Sequence, residues 1–218
     1  MKQFTISSDP EPYPTNWPPE TYVAYQQEVK REQLDGLRQL IEKKDVGETQ
    51  MDKYLQDNPE IVVCLLGQFY NGHHASWIVP QQAIRSPQPE VIPGLKPDFI
   101  LGGKSSDGFL WYVIELKAPK HALFSKKDNN LRLSSDANRG LIQLLEYIDY
   151  CSHAQAYLRD SLGLTNFREP KGILLIGNES EFEDDNRRQD LKADWNRNCP
   201  DLPIHTYDAL IRAVEQKV

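Results

Sequence analysis

PDFILGGKSSDGFLWYVIELK, residues Pro97 to Lys117, is the stretch on which the fold turns. Two short apolar segments flank a Gly/Ser/Asp turn, the pattern of a β-hairpin. On the second segment, strand alternation sets Phe109, Trp111, Val113, Glu115 and Lys117 on one face. Leu110, Tyr112, Ile114 and Leu116 fall on the other. Glu115 and Lys117 therefore point the same way, roughly 7 Å apart by strand rise. A charged pair closing an apolar strand is costly to bury unless something compensates it. A divalent cation with Asp98 as second ligand is one compensation; a salt bridge facing solvent is the other reading.

Outward from the hairpin, Trp77 to Ile84 reads as a further strand, with Trp77 and Trp111 as core residues of the sheet. Upstream, Glu48 to about Asp57 predicts a helix stopped by Asn58 and Pro59. Before it, Val23, Val29, Leu34, Leu37, Leu40 and Ile41 recur at helical spacing, predicting one long amphipathic helix over Glu20 to Lys44 for packing or oligomerisation. Residues up to about Pro19 are proline-rich and polar, an extended arm. Residues 1–45 are thus read as arm and N-terminal helix, and 46–218 as one domain.

Downstream, a basic loop precedes a helix opening at Ser134 or Ser135 and running to about Leu162. Along it Arg139, Gln143 and Tyr147 stack at i, i+4 spacing, as either a working polar face or the wet side of an amphipathic helix. Gly172 to Gly177 reads as a buried central strand, followed by a helix over Arg187 to Arg197, a strand at Ile204 to Thr206 and a helix from Asp208. The order helix, three strands, helix, strand predicts an α/β fold, a mixed sheet flanked by helices with a crossover joining parallel strands.

With 218 residues the chain can bury a substantial core. It contains no apolar run of bilayer length, and its polar start lacks the apolar centre of a secretory signal, so a cytoplasmic, non-membrane protein is expected. Cys64, Cys151 and Cys199 suggest neither disulfides nor zinc. The adjacent His73 and His74 diverge on a strand and read as structural or surface residues. The formal charge is −7, yet Lys117 to Arg139 carries a local balance of +4. Acid concentrates in Glu179, Glu181, Glu183, Asp184 and Asp185, read as a solvated loop.

Pro97-Asp98, Glu115-Leu116-Lys117 and Gln143 to Tyr147 on the following helix, in that element order, resemble the PD-(D/E)XK nuclease superfamily in its RecB-like variant. The resemblance implies a restriction-endonuclease-like sheet, Asp98 and Glu115 as metal ligands, and Lys117 orienting the attacking water and stabilising charge on the phosphate. It also implies Gln143 as a positioning group and Tyr147 as supporting or DNA-contacting. Glu48 holds the place of a glutamate found before the first strand in many members; favourable charge at a helix start is its other reading. At a finer level Glu48 to Pro59, Pro97-Asp98, Ile114 to Pro119 and His205 to Leu210 look like the catalytic domain of Shedu anti-phage proteins, from about residue 45 onward. That similarity implies a Mg²⁺-dependent DNA endonuclease of bacterial defence, commonly oligomeric, with Mn²⁺ able to substitute. Lys120, Lys126, Lys127, Arg132 and Arg139 would then contact the DNA backbone, with binding that weakens in salt. The alternative is a catalytically silent module of the same fold that binds nucleic acid or regulates a partner.

Overall fold

In the computed structural model, residues 23–24, 29–43, 45–68, 75–84, 95–105, 108–128, 130–164 and 166–218 are described. The proline-rich arm and the His73-His74 pair lie outside them. The hairpin forms as its alternation requires. β3 (Phe99–Ser105) pairs antiparallel with β4 (Gly108–Leu116), and β2 (Ala75–Pro80) pairs antiparallel with β3. Gly102 in β3 has a packing cause. Gly102 lies opposite Trp111, and a Cβ there would come within 2.6 Å of the indole ring.

β7 (Lys171–Leu175) runs parallel to β4, and β8 (Ile204–His205) parallel to β7. β1 (Val23–Ala24) pairs antiparallel with β2, giving the order β1-β2-β3-β4-β7-β8. The link from β4 to β7 is a crossover through α4 (Ser135–His153) and α5 (Gln155–Asp160). Ser134 caps α4, its hydroxyl accepting from the Ala137 N–H at 3.0 Å. The single long helix expected here is two, divided at Ala154.

The two faces of β4 sort as the sequence predicts. Leu110, Tyr112, Ile114 and Leu116 pack with α1 (Arg31–Glu42), α2 (Glu48–Asp57), α3 (Pro59–Val63) and α7 (Tyr207–Glu215). Phe109, Trp111 and Val113 pack with α4, α5 and neighbouring strands. Helices thus cover both faces, as a sheet with parallel strands requires. On the α4 face Trp77, Phe109, Trp111 and Phe167 form a chain of rings with centroids 5.4, 6.4 and 5.5 Å apart.

Two further expectations need correction. The helix predicted over Glu20 to Lys44 spans only Arg31–Glu42, because Val23–Ala24 pair with the edge of β2. Leu34 and Leu37 are fully buried in the core that α1 shares with α7, so this helix packs within its own chain. α2 ends at Asp57, before Asn58 and Pro59 as expected, and Pro59 then opens a further short helix, α3, at a first-turn position where its missing N–H costs nothing. The basic loop after β4 contains a hairpin, β5 (Phe124–Lys127) with β6 (Asn130–Leu133). α6 (Asn186–Asn198) completes the elements. Cys64 and Cys151 are buried thiols and Cys199 is half-buried; all three are free. Among the described residues no helix is long and apolar enough to cross a membrane.

Candidate active site

The C-terminal end of β4 carries charge into the interior. Glu115 and Lys117 are 5 % and 3 % exposed, so water does little to solvate either. They solvate each other: the Lys117 Nζ donates to Glu115 Oε1 at 2.6 Å and to Gln143 Oε1 on α4 at 2.8 Å. The backbone of Lys117 is also held at both ends. Its N–H donates to the Leu175 carbonyl on β7 at 2.8 Å, and its carbonyl accepts from the Tyr207 hydroxyl at 2.9 Å. Gly140 lets α4 come this close, since a Cβ there would stand 2.7 Å from Leu174 Cδ1 and 3.2 Å from Lys117 Cε.

Asp98, just before β3, reaches across to β4, where its Oδ2 accepts from the Leu116 N–H at 2.7 Å. It joins Glu115 in a pocket of about 340 Å³ lined also by Glu48, Thr49, Asp52, Gln81 and Leu116. Four carboxylates therefore face one small space. Burial, then the neighbouring Glu115 charge, pushes the Asp98 carboxyl up to about 7 against the Leu116 hydrogen bond. Burial likewise raises Glu115, outweighing Lys117. These are the costs of burying carboxylates beside one another.

The pocket suits a hard cation. Glu48 Oε1 and Asp52 Oδ1 are buried oxygens without a hydrogen-bond partner, and the acidic lining groups offer only oxygen. Among the described residues no group of three or more His, Cys, Asp or Glu side chains is placed to hold a metal ion by itself. Mg²⁺ keeps several waters and needs only one or two carboxylates from the protein. Asp52 was missed in the sequence. It stands one turn after Glu48 on α2, at the i, i+4 spacing that shares a helix face, and this was the signal available. The Asp52 Oδ2 is occupied by Gln56 and Gln81, at 2.7 and 2.6 Å. His121 was also missed as a site neighbour: its Nδ1 lies 3.5 Å from Glu48 Oε1 and 3.9 Å from Asp136 Oδ2.

Residues 45–211 match the family model described as Shedu protein SduA, C-terminal. The chain belongs to this Shedu family. No curated protein matches it. The Shedu region contains every residue of the carboxylate pocket, along with Lys117 and Gln143, whereas α1 precedes it.

Around this Shedu site the remaining sequence candidates divide. Tyr147 is 6 % exposed, with its hydroxyl 3.4 Å from the Lys96 carbonyl and interacting with Glu115, so it is buried beside the pocket. Lys120, Lys127 and Arg132 are exposed, the last two on the β5-β6 hairpin. Lys126 is paired with Asp185 at 2.9 Å and Arg139 with Asp136 at 2.8 Å. The acidic run is not all solvated. Glu181 accepts from the Leu123 and Phe124 N–H groups at 2.6 and 2.8 Å and from Arg188 at 2.7 Å, pinning the start of the basic hairpin. Glu183 and Asp184 are exposed as expected.

Proposed function

We propose that this chain is a divalent-metal-dependent DNA endonuclease acting in anti-phage defence. The observation that carries the reading is Lys117, clamped between Glu115 and Gln143 beside a pocket of four carboxylates. A structural ion pair needs neither the third partner nor the surplus of negative charge.

Asp98 and Glu115 would hold the metal, which when bound polarises a phosphate oxygen and lowers the pKa of water. Mg²⁺ is the expected ion, with Mn²⁺ able to substitute. The Lys117 ammonium is a compact charge whose remaining proton can be offered to a phosphate oxygen as negative charge builds there. Gln143 fixes that ammonium through its amide oxygen, so the charge is positioned before substrate arrives. Glu48 Oε1, without a hydrogen-bond partner, is an acceptor able to orient an attacking water. Lys120, Lys127 and Arg132, with Lys126 and Arg139 once released from their carboxylates, supply backbone contacts to DNA.

The test is incubation with supercoiled, linear and single-stranded DNA in Mg²⁺. Cleavage is expected, stopped by EDTA and lost in Glu115→Gln and Lys117→Met, with circular dichroism confirming that both variants are folded. Saturable DNA binding without cleavage by the unaltered chain would leave the silent module as the correct reading.

A further inference from the structure

A second cavity, of about 430 Å³, opens between α6, β8 and α7 and shares no residue with the carboxylate pocket. Its polar lining is Glu179, Lys192, His205, Arg212 and Lys217, with Cys64 and Gln216 beside them. Three cations thus meet a single carboxylate. Glu179 is already taken: Arg212 donates to both its oxygens, at 2.9 and 2.6 Å, and the Thr206 hydroxyl donates at 3.2 Å. The Cys64 thiol adds no negative charge, since burial pushes it up to about 11.

His205 and Lys192 carry a cost of burial. His205 Nε2 is a buried atom with no hydrogen-bond partner. Burial, followed by the nearby Lys192 charge, pushes its imidazole down to about 4, so the ring is neutral at pH 7 with one nitrogen available to donate. Burial also lowers Lys192 below the usual lysine range, with Glu179 opposing that shift. The lining thus holds more positive charge than its one carboxylate balances, and the His205 ring leaves a buried nitrogen without the partner that buried polar groups ordinarily find. A phosphate brings several acceptor oxygens and the charge to match.

We propose that this cavity binds the phosphate group of a small anion, with Lys192, His205 and Arg212 as its donors. The inference stands apart from the nuclease reading, because none of these residues lines the carboxylate pocket. The volume admits inorganic phosphate or a mononucleotide.

Isothermal titration calorimetry of the full chain at constant ionic strength, with inorganic phosphate, adenosine 5′-monophosphate and adenosine as separate probes, tests it. Saturable binding of inorganic phosphate or the monophosphate is expected, and none of adenosine. Lys192→Gln and Arg212→Gln should each weaken binding by about tenfold or more, as when one charge-assisted hydrogen bond is removed. A matching thermal stabilisation by the bound probe should appear in the unaltered chain and shrink in Lys192→Gln. Tighter binding of the monophosphate would identify a nucleotide as the source, and equal binding the phosphate alone. Absence of saturable binding for both phosphate probes, binding of adenosine as strong as the monophosphate, or unchanged affinity in both variants would overturn the proposal.

Discussion

One face of one strand holds two contrasting regions. At its start Phe109, Trp111 and Val113 are closed into a ring-stacked apolar core. At its end Glu115, with Lys117 following, is as deeply buried, yet the site includes four carboxylates and buried oxygens without hydrogen-bond partners. The first region is complete in itself, because apolar burial needs only shape. The second is incomplete, because four carboxylates outnumber the one buried lysine beside them. On the proposed reading a bound cation completes this arrangement, and the difference then separates scaffold from site.

The largest expected effect breaks the incomplete end. Lys117→Met should lower DNA cleavage by about 100-fold or more, since it removes charge where the phosphate develops it. Removing one partner of the buried pair should also cost stability, whereas the double replacement Glu115→Gln with Lys117→Met should recover stability without activity. Denaturant titration alongside the cleavage assay checks both.

The mirror experiment strikes the complete end. Trp111→Ala should cost about 3–5 kcal/mol of stability by leaving a cavity among stacked rings, while molecules that remain folded keep their cleavage rate per site. Unfolding midpoints and rates measured well below the transition separate these outcomes.

The contrast was partly legible in the sequence. Alternation along Phe109 to Lys117 placed both regions on one face, and the hydrogen bonds of Lys117 turn the expected 7 Å spacing into a 2.6 Å contact through side-chain reach. Ser134 as cap and Glu48 as helix start were local chemistry, readable without neighbours. What stayed hidden depends on distant partners. Val23–Ala24 follow a helical pattern but find an open strand edge. The β5-β6 hairpin carries charged residues at outward positions, and its anchor, Glu181, lies far along the chain. Asp52 gains meaning only once α2 is laid against Asp98.

A third expectation concerns pH. The folded chain binds a proton at Asp98 more tightly than the unfolded chain does, the carboxyl rising from 3.8 to about 7. The associated stability is full below the unfolded value and is lost as pH rises through about 7. In metal-free buffer, stability should therefore fall between about pH 4 and 7, and Asp98→Asn should flatten that slope. Thermal melts across this range decide it; an unchanged slope in Asp98→Asn would remove Asp98 as the cause.

Smaller effects sharpen the boundary. Gly140→Ala should overpack Leu174 and press on Lys117, costing about 1–3 kcal/mol, and should reduce cleavage more than Ile142→Ala at a nearby exposed position. Lys127→Gln and Arg132→Gln should each reduce the slope of log affinity for DNA against log salt by about one, read by fluorescence anisotropy.

Mn²⁺ titration followed by the electron paramagnetic resonance of the free ion puts the incomplete region to the most direct test. One saturable site is expected in the unaltered chain, retained in Lys117→Met and lost in Asp98→Asn and Glu115→Gln. Equal Mn²⁺ uptake by Asp98→Asn, Glu115→Gln and the unaltered chain would contradict the account.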